Sequence, residues 1–433
     1  MIEEFFAYWQ AKGFLVFLRV FWFFIFFEFT RYILIDYIVI IYYTIKRKLN
    51  QRNWDLARNA LWVEKPLVSV IVPGRNEGDN LFTLVRSLSE QTYNNLEIIV
   101  VDDGSDDQTP LIGRSLMKSG MITLFLRNED RGGKASAANL AWRFAKGKYI
   151  VHLDADCSFH FNAIESALIP FYMDERIGGV GGSLEVRNGL KNLCTILQRI
   201  EYLKTISLGR IVTSTLGIYG IISGAFGVFR ADVLQKVKGW DIGPGLDSDL
   251  TTKIRKAGYK VHFEPDAIGL TNVPQTFSKL ANQRLRWNKS VIRFRLRKHG
   301  GLFVANEHFS FANMFASAES IVFGVIFNIL WYINIFDQMI HYPRELLFIF
   351  PMSILLYMIG NFIRFFVVLA LSHEDFQERL KLLPFLPLMV FYNGFYMRVV
   401  RTIAHMSELF FWTSYKDSWN PRKTSVHARK MNI

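Results

Sequence analysis

The chain has 433 residues, 51% of them hydrophobic and 39 of them Phe, which gives room for two or three domains and excludes a disordered chain. Lys and Arg number 51 against 38 Asp and Glu, a net charge of +13 that fits a nucleic acid, an anionic bilayer or a polyanionic small substrate. Cys157 and Cys194 are the only cysteines and have no CxxC spacing, which excludes a disulfide framework and a zinc knuckle and fits a reduced, cytosolic middle region.

The first apolar block, 14–45, is long enough as a helix to reach ~45 Å, against a hydrocarbon core of ~30 Å. Arg19, Glu28, Arg31 and Asp36 interrupt it, and each mid-helix charge costs roughly 2.5–3.5 kcal/mol on insertion. Glu28 and Arg31, three apart, are expected to pair on one helix face, with the block lying at the interface or against protein. It lacks the basic start, uninterrupted apolar core and small-residue site of a cleavable signal peptide. Lys46, Arg47, Lys48 and Arg52 follow and put that end in the cytoplasm.

Between 66 and 300 short β-branched runs (68–72, 96–101, 149–153) alternate with helical stretches (81–91, 135–146), which predicts an α/β domain on a mostly parallel sheet. An aromatic, weakly amphipathic stretch at 307–318 is expected at the bilayer surface. Uncharged apolar runs at 320–336, 346–363 and 382–397 are transmembrane candidates. Three crossings would leave the C-terminus outside, yet the tail carries Arg398, Arg401, Lys416, Arg422, Lys423, Arg429 and Lys430, which favours the inside. Pro384 and Pro387 offer a solution by letting the last run bend back as a re-entrant or interfacial element. Arg364, just after an uncharged run, reads as a snorkelling residue at a helix end, with channel lining or pairing to Glu28 or Asp36 as the alternatives. The expected divisions are 1–48, an N-terminal membrane or interfacial helix; 66–300, the cytosolic domain; 301–318, an interfacial helix; 319–412, channel helices; and 413–433, a basic tail.

The chemistry concentrates in the middle region. Asp102 and Asp103, followed by Gly104 and Ser105, end one predicted strand at the carboxyl edge where open α/β sheets bind ligands; a turn with an N-cap is the competing reading. Asp154 and Asp156 end another strand, and their i, i+2 spacing puts both carboxylates on one face, suited to a hard divalent cation shared with a nucleotide diphosphate. Lys134 after Gly132-Gly133, with Arg284, Arg286 and Lys289, supplies cations for that diphosphate. Asp247 and Asp249 precede a helix, where they serve either as caps or, one of them, as the base for an attacking hydroxyl. Gln283-Arg284-Leu285-Arg286-Trp287 adds an amide, guanidinium groups and an indole able to stack on a sugar.

In combination these segments resemble the family 2 inverting glycosyltransferases of GT-A fold, and among them the membrane-embedded processive synthases of cellulose, chitin, hyaluronan and poly-N-acetylglucosamine. Asp103, Asp154, Asp156 and Asp247 fall in the family's order, 35 residues separate Asp247 from Gln283, and Gln283-x-x-Arg286-Trp287 completes the signature. The segments 72–77 and 133–139 also match. The resemblance implies a nucleotide-sugar site of Pro73, Glu77, Asp102, Asp103, Lys134, Asp154 and Arg286, with Mg2+ or Mn2+ on Asp154 and Asp156. It makes Asp247 the general base and puts Gln283, Trp287 and Asp249 on the acceptor side. Where the family often has Thr-Glu-Asp this chain has Gly245-Leu246-Asp247, and Ser223-Gly224-Ala225-Phe226 takes the place of the acceptor-edge loop. Trp419 and Arg422 are similar to a gating element near the end of hyaluronan-type synthases; a basic juxtamembrane anchor is the alternative.

The implied function is polymerisation of a β-linked polysaccharide from UDP-N-acetylglucosamine or UDP-glucose and its passage across the plasma membrane, by a multi-pass protein whose catalytic domain is cytoplasmic. Its partners would be the UDP-sugar, the growing polysaccharide, the lipid bilayer and accessory export proteins. Transfer of one sugar to a lipid acceptor is the competing enzymatic reading. A nucleic-acid partner is not expected, because many positive charges flank apolar runs and the middle region has no recognition motif.

Overall fold

The computed structural model describes residues 2–241, 245–304, 309–372, 375–416 and 421–431. Eight strands, β1 (Val68–Gly74), β2 (Leu96–Asp102), β3 (Leu124–Arg127), β4 (Tyr149–Leu153), β5 (Ser158–Phe159), β6 (Ile177–Val186), β7 (Phe226–Arg230) and β8 (Lys260–Thr271), join in one sheet of order β3-β2-β1-β4-β7-β6-β8-β5. Residue alternation assigns the two faces. Val68, Val70, Val72, Ile98, Val100 and Val151 pack with the helices Gly78–Ser89 and Ala163–Met173, whereas Ile71, Ile99, Val101 and Ile150 pack with the helix Lys134–Phe144. Burial on both faces explains why these strands read as unbroken apolar runs.

The sheet is mostly parallel, as expected, with β6 and β8 also paired in parallel, but two strands, β7 and β5, run the other way and make it mixed. β1, β2, β3 and β4 pair in parallel, but β7 runs antiparallel to both β4 and β6. The register shows why: Phe226, the first residue of β7, pairs with Leu153, the last of β4. The chain has already returned to the carboxyl edge before β7 begins, and so it must run back down the sheet. That return carries Gly224 to the edge from which Asp154 projects.

Among the described residues three helices are long and apolar enough to cross a membrane: Phe311–His341, Leu346–Leu371 and Leu383–Phe411. A bent pair, Glu3–Val20 and Phe24–Leu49, meets at 74° and passes the same test jointly. The interfacial stretch expected before the first run is in part the start of that run, because one continuous helix begins at Phe311; residues 305–308 lie outside the described residues.

Most charges in these helices pair across the bundle, and Arg31 pairs both across it and with Asp36 on its own helix. Glu28 bonds Arg398, whereas Arg31 reaches Asp36 at 2.9 Å and Glu319 at 2.8 Å, replacing the local Glu28–Arg31 pair expected. Arg364 is no snorkelling end residue: its helix runs on to Leu371, and its guanidinium pairs with buried Asp36 at 3.1 Å. Pairing is the condition on which such groups can be tolerated in an apolar bundle.

Pro384 and Pro387 lie in the opening turns of Leu383–Phe411 and do not fold it back. The helix nevertheless touches the α/β domain at two points: Tyr392 Oη donates to Glu201 at 2.7 Å, and Glu408 accepts from Arg297 at 2.8 Å. Val400, Ala404 and Glu408 are buried, while Val399, Ile403, Met406 and Phe410 form an exposed apolar stripe.

Arg398→Ala would strand the Glu28 carboxylate among apolar helices and should cost about 3–5 kcal/mol, read as a lower unfolding temperature in detergent. Replacing both partners together, Glu28→Leu with Arg398→Met, should recover most of that loss.

Candidate active site

The site is assembled at the carboxyl ends of β1, β2 and β4. Register aligns Gly74 with Asp102 across β1 and β2, so the segments after both strands leave the sheet side by side. Asp103 holds the next loop: its Oδ1 accepts from the Gly132 amide at 2.8 Å and Asn128 Nδ2 at 3.0 Å, and its Oδ2 from the Gly133 amide at 2.7 Å. Gly133 has φ +89°, which side-chain-bearing residues rarely adopt, and this turn aims Lys134 into the cleft as the first residue of its helix. There Lys134 bonds the Asp154 carboxylate.

Asp247 joins this group from the other side. Its carboxylate lies over Gly224, so close that a Cβ at position 224 would stand 2.4 Å from Oδ1. Enclosure raises the Asp247 pKa above the ordinary carboxylate value, opposed by Lys134 and by a backbone hydrogen bond from Gly224. Burial likewise raises Asp156, reinforced by the neighbouring Asp154 charge. Glu77 is pushed up to about 7, first by burial and then by Asp156 and Asp154, against the hydrogen bond from Asn80 Nδ2 at 2.7 Å. For Lys134 burial acts downward, but Asp154 and Asp247 outweigh it and the net shift is upward. Glu77, Lys134, Asp154, Asp156 and Asp247 are therefore one electrostatic unit, four carboxylates around one ammonium. Among the described residues no group of three or more His, Cys, Asp or Glu side chains forms a closed metal site.

The helix Phe277–Ser290 passes this cleft. Gly245, at φ +87°, sits so tightly against it that a Cβ there would be 2.5 Å from the Phe294 ring and 3.0 Å from Ser290. Trp287, one turn before Ser290, is 41% exposed, with the Arg284 guanidinium 4.2 Å from its ring centroid. Arg286 and Gln283 are half-buried on the same helix, and Gln283 Oε1 is enclosed without a hydrogen-bond partner. Pro73 is buried in β1 opposite Val101.

Three expected roles change. Asp102 is fully buried and accepts from the Ser105 amide at 3.0 Å and from its hydroxyl, with Arg127 3.6 Å away, so it builds the turn as the capping alternative held. Asp249, two residues beyond Asp247, projects from another face of its helix; His299 Nε2 at 2.7 Å and Lys298 Nζ at 2.8 Å engage its two oxygens, which ties the helix Leu246–Lys256 to 298–299 and removes it from the acceptor group. Arg284 is buried against Glu201 at 2.8 Å, so it braces the catalytic domain against the helix that carries Tyr392 and does not meet a diphosphate. Trp419 lies outside the described residues, and Arg422 is exposed at the start of the helix Arg422–Lys430.

Sequence reasoning missed His152. It is buried in β4, packs against Trp240 with the rings tilted at 32° and approaches the Gly224 carbonyl through Nδ1 at 2.6 Å, which makes Nδ1 the donor and fixes the loop under Asp247. A polar residue inside the apolar run Tyr149–Leu153 was the available signal. Burial lowers its pKa to about 3, so the ring is neutral at physiological pH. Glu201 and Tyr392 carried no signal, since their partners are 83 and 191 residues away.

His152→Ala should leave the Gly224 carbonyl unpartnered beside a cavity and destabilise the domain by roughly 2–4 kcal/mol in thermal or denaturant unfolding. Asp249→Asn should behave differently with pH. Burial alone would raise Asp249, yet His299 and Lys298 hold it down at about 2. Its contribution, on the order of 2 kcal/mol, is full above the ordinary carboxylate pKa and disappears as pH falls towards 2, so the gap between wild type and variant should be widest near neutrality and close in acid.

Residues 69–238 match the family model described as Glycosyl transferase family 2. The poly-beta-1,6-N-acetyl-D-glucosamine synthase of Staphylococcus epidermidis is 31% identical over 255 residues, 57% of this chain and 60% of its own length. The synthase of the same name from Staphylococcus aureus (strain MSSA476) is 30% identical over 213 residues, 49% of this chain and 51% of its own. Among solved structures, the mannosyltransferase PcManGT from Pyrobaculum calidifontis, in complex with GDP-Man and Mn2+, aligns at TM-score 0.54 over 87% of this chain and 99% of its own, and at 21% identity it supports the fold alone. A mixed GT-A-like sheet, this site and the matched segment converge: residues 69–238 are similar to glycosyl transferase family 2, and the chain, with its apolar helices, is similar to polysaccharide synthases and spans about half to three fifths of their length.

Proposed function

We propose that this chain polymerises a β-linked polysaccharide from a UDP-sugar by inverting transfer and passes the product across the bilayer. The convergence of Asp247, Lys134 and Asp154 near Gly224 carries the reading, because it puts a base and a cation in one electrostatic cluster at the carboxyl edge of the sheet. Asp247 takes the proton of the acceptor hydroxyl as its oxygen bonds the anomeric carbon and the bond from that carbon to the diphosphate breaks. A carboxylate with a raised pKa is a stronger base than a free one, and the Gly224 amide keeps it aimed. Trp287, with one face against Arg284, offers its exposed surface to an acceptor sugar.

Asp154 and Asp156 fit Mg2+ or Mn2+: they are hard oxygen donors, and burial, then the neighbouring Asp154 charge, disfavours the ionised form of Asp156, which a bound cation would restore. When bound, such an ion neutralises charge on the departing diphosphate. Similarity to the staphylococcal poly-beta-1,6-N-acetyl-D-glucosamine synthases favours N-acetylglucosamine as the sugar.

The contacts of Leu383–Phe411 with the catalytic domain at two points support a helix lying along the bilayer surface, with the C-terminal tail on the catalytic side. Phe311–His341 and Leu346–Leu371 then cross out and back, and with the N-terminal pair they enclose the paired charges.

Membranes incubated with UDP-N-acetylglucosamine or UDP-glucose and Mg2+ or Mn2+ should yield a polymer degradable by a linkage-specific hydrolase; a single-sugar lipid product would overturn polymerisation. Asp247→Asn should lower transfer by about 10²–10⁴-fold while UDP binding persists. Trp287→Ala should impair acceptor elongation more than donor hydrolysis, and equal loss of both would remove its stacking role.

A further inference from the structure

We propose that the helix Arg422–Lys430 docks on anionic lipid headgroups at the bilayer surface beside Leu383–Phe411. Ser425 and Ala428 are buried on its protein side. Arg422, Lys423, Val426, His427, Arg429 and Lys430 are all exposed, and the helical period gathers them into one broad outer face, with Val426 at its centre and cations on both flanks. No Asp or Glu occurs between residues 421 and 433. This arrangement is complementary to a negatively charged surface that also accepts a short apolar side chain.

Continuity with the neighbouring helix selects lipid as the occupant. The exposed stripe of Leu383–Phe411 ends in Phe410 and Phe411, 62% and 70% exposed, and the next residue, Trp412, is clamped by the guanidinium of Arg297 at 3.9 Å. The guanidinium of Arg429 lies 5.8 Å from the same indole, so the basic helix is tied to the point where the apolar stripe stops. An indole between an acyl-facing stripe and a cationic face marks the depth of the headgroup layer. The docking rests on the reading that Leu383–Phe411 lies along the bilayer.

Cys157 and Cys194 are both buried, so an engineered surface cysteine can be labelled selectively in the full-length protein. Val426→Cys carrying a bimane fluorophore, in nanodiscs of phosphatidylcholine with phosphatidylglycerol, should be quenched several-fold more by a headgroup nitroxide lipid than in discs of phosphatidylcholine alone. High salt, or Lys423→Gln, Arg429→Gln and Lys430→Gln together, should abolish the difference. Equal quenching in both discs, a label reached only by aqueous iodide, or an unaffected triple variant would overturn the proposal. Ile403→Cys, labelled in the same way, tests the placement beneath it: acyl-chain nitroxide should quench it whatever the headgroup charge. Polymer synthesis by the triple variant in phosphatidylcholine should equal wild type, which separates failure of docking from failure of the catalytic reading.

Discussion

One ammonium among four carboxylates is the constraint around which the catalytic domain is organised. Glu77, Asp154, Asp156 and Asp247 crowd at the edge of the sheet, and Lys134 is the cation at their centre. Enclosed like charges raise one another's proton affinity, and the fold counters this with a rigidly aimed lysine and with backbone amides. Asp103 supplies the rigidity by clasping the loop through Gly133, and His152 supplies it on the far side by holding Gly224. His152, which touches no substrate in the proposed mechanism, thus helps set the electrostatics of residues that do.

The antiparallel insertion of β7 makes this arrangement geometrically possible. A purely parallel sheet would have brought the chain to the carboxyl edge only at strand ends, whereas here a strand begins there, so its leading loop enters the cleft with Gly224. Gly245 then lets the helix Phe277–Ser290 pass close enough to bring Trp287 alongside.

Outside the sheet, ion pairs do the joining. Arg284 with Glu201 and Tyr392, and Arg297 with Glu408, fasten the helix Leu383–Phe411 to the catalytic domain at two points. Glu28 with Arg398, Arg31 with Glu319, and Asp36 with Arg364 fasten the N-terminal block to the later apolar helices. A charge left alone in such surroundings is costly, so each pair constrains which helices can be neighbours.

The sequence by itself determined β1, β2 and β4, because apolar runs with β-branched residues admit few alternatives, and it determined the carboxylates at their ends, because motif spacing survives any tertiary detail. It determined that long apolar helices follow the α/β domain. Tertiary structure alone decided that the sheet is mixed, that Asp102 and Asp249 are structural, that Arg284 braces an interface and that Arg364 meets Asp36. Local pattern specifies what a residue can do, whereas burial and partners 83, 191 or 328 residues away decide which of those capacities is used. Asp247 and Asp249 make the point within one helical turn: the same side chain, two positions apart, faces the cleft in one case and a lysine and a histidine in the other.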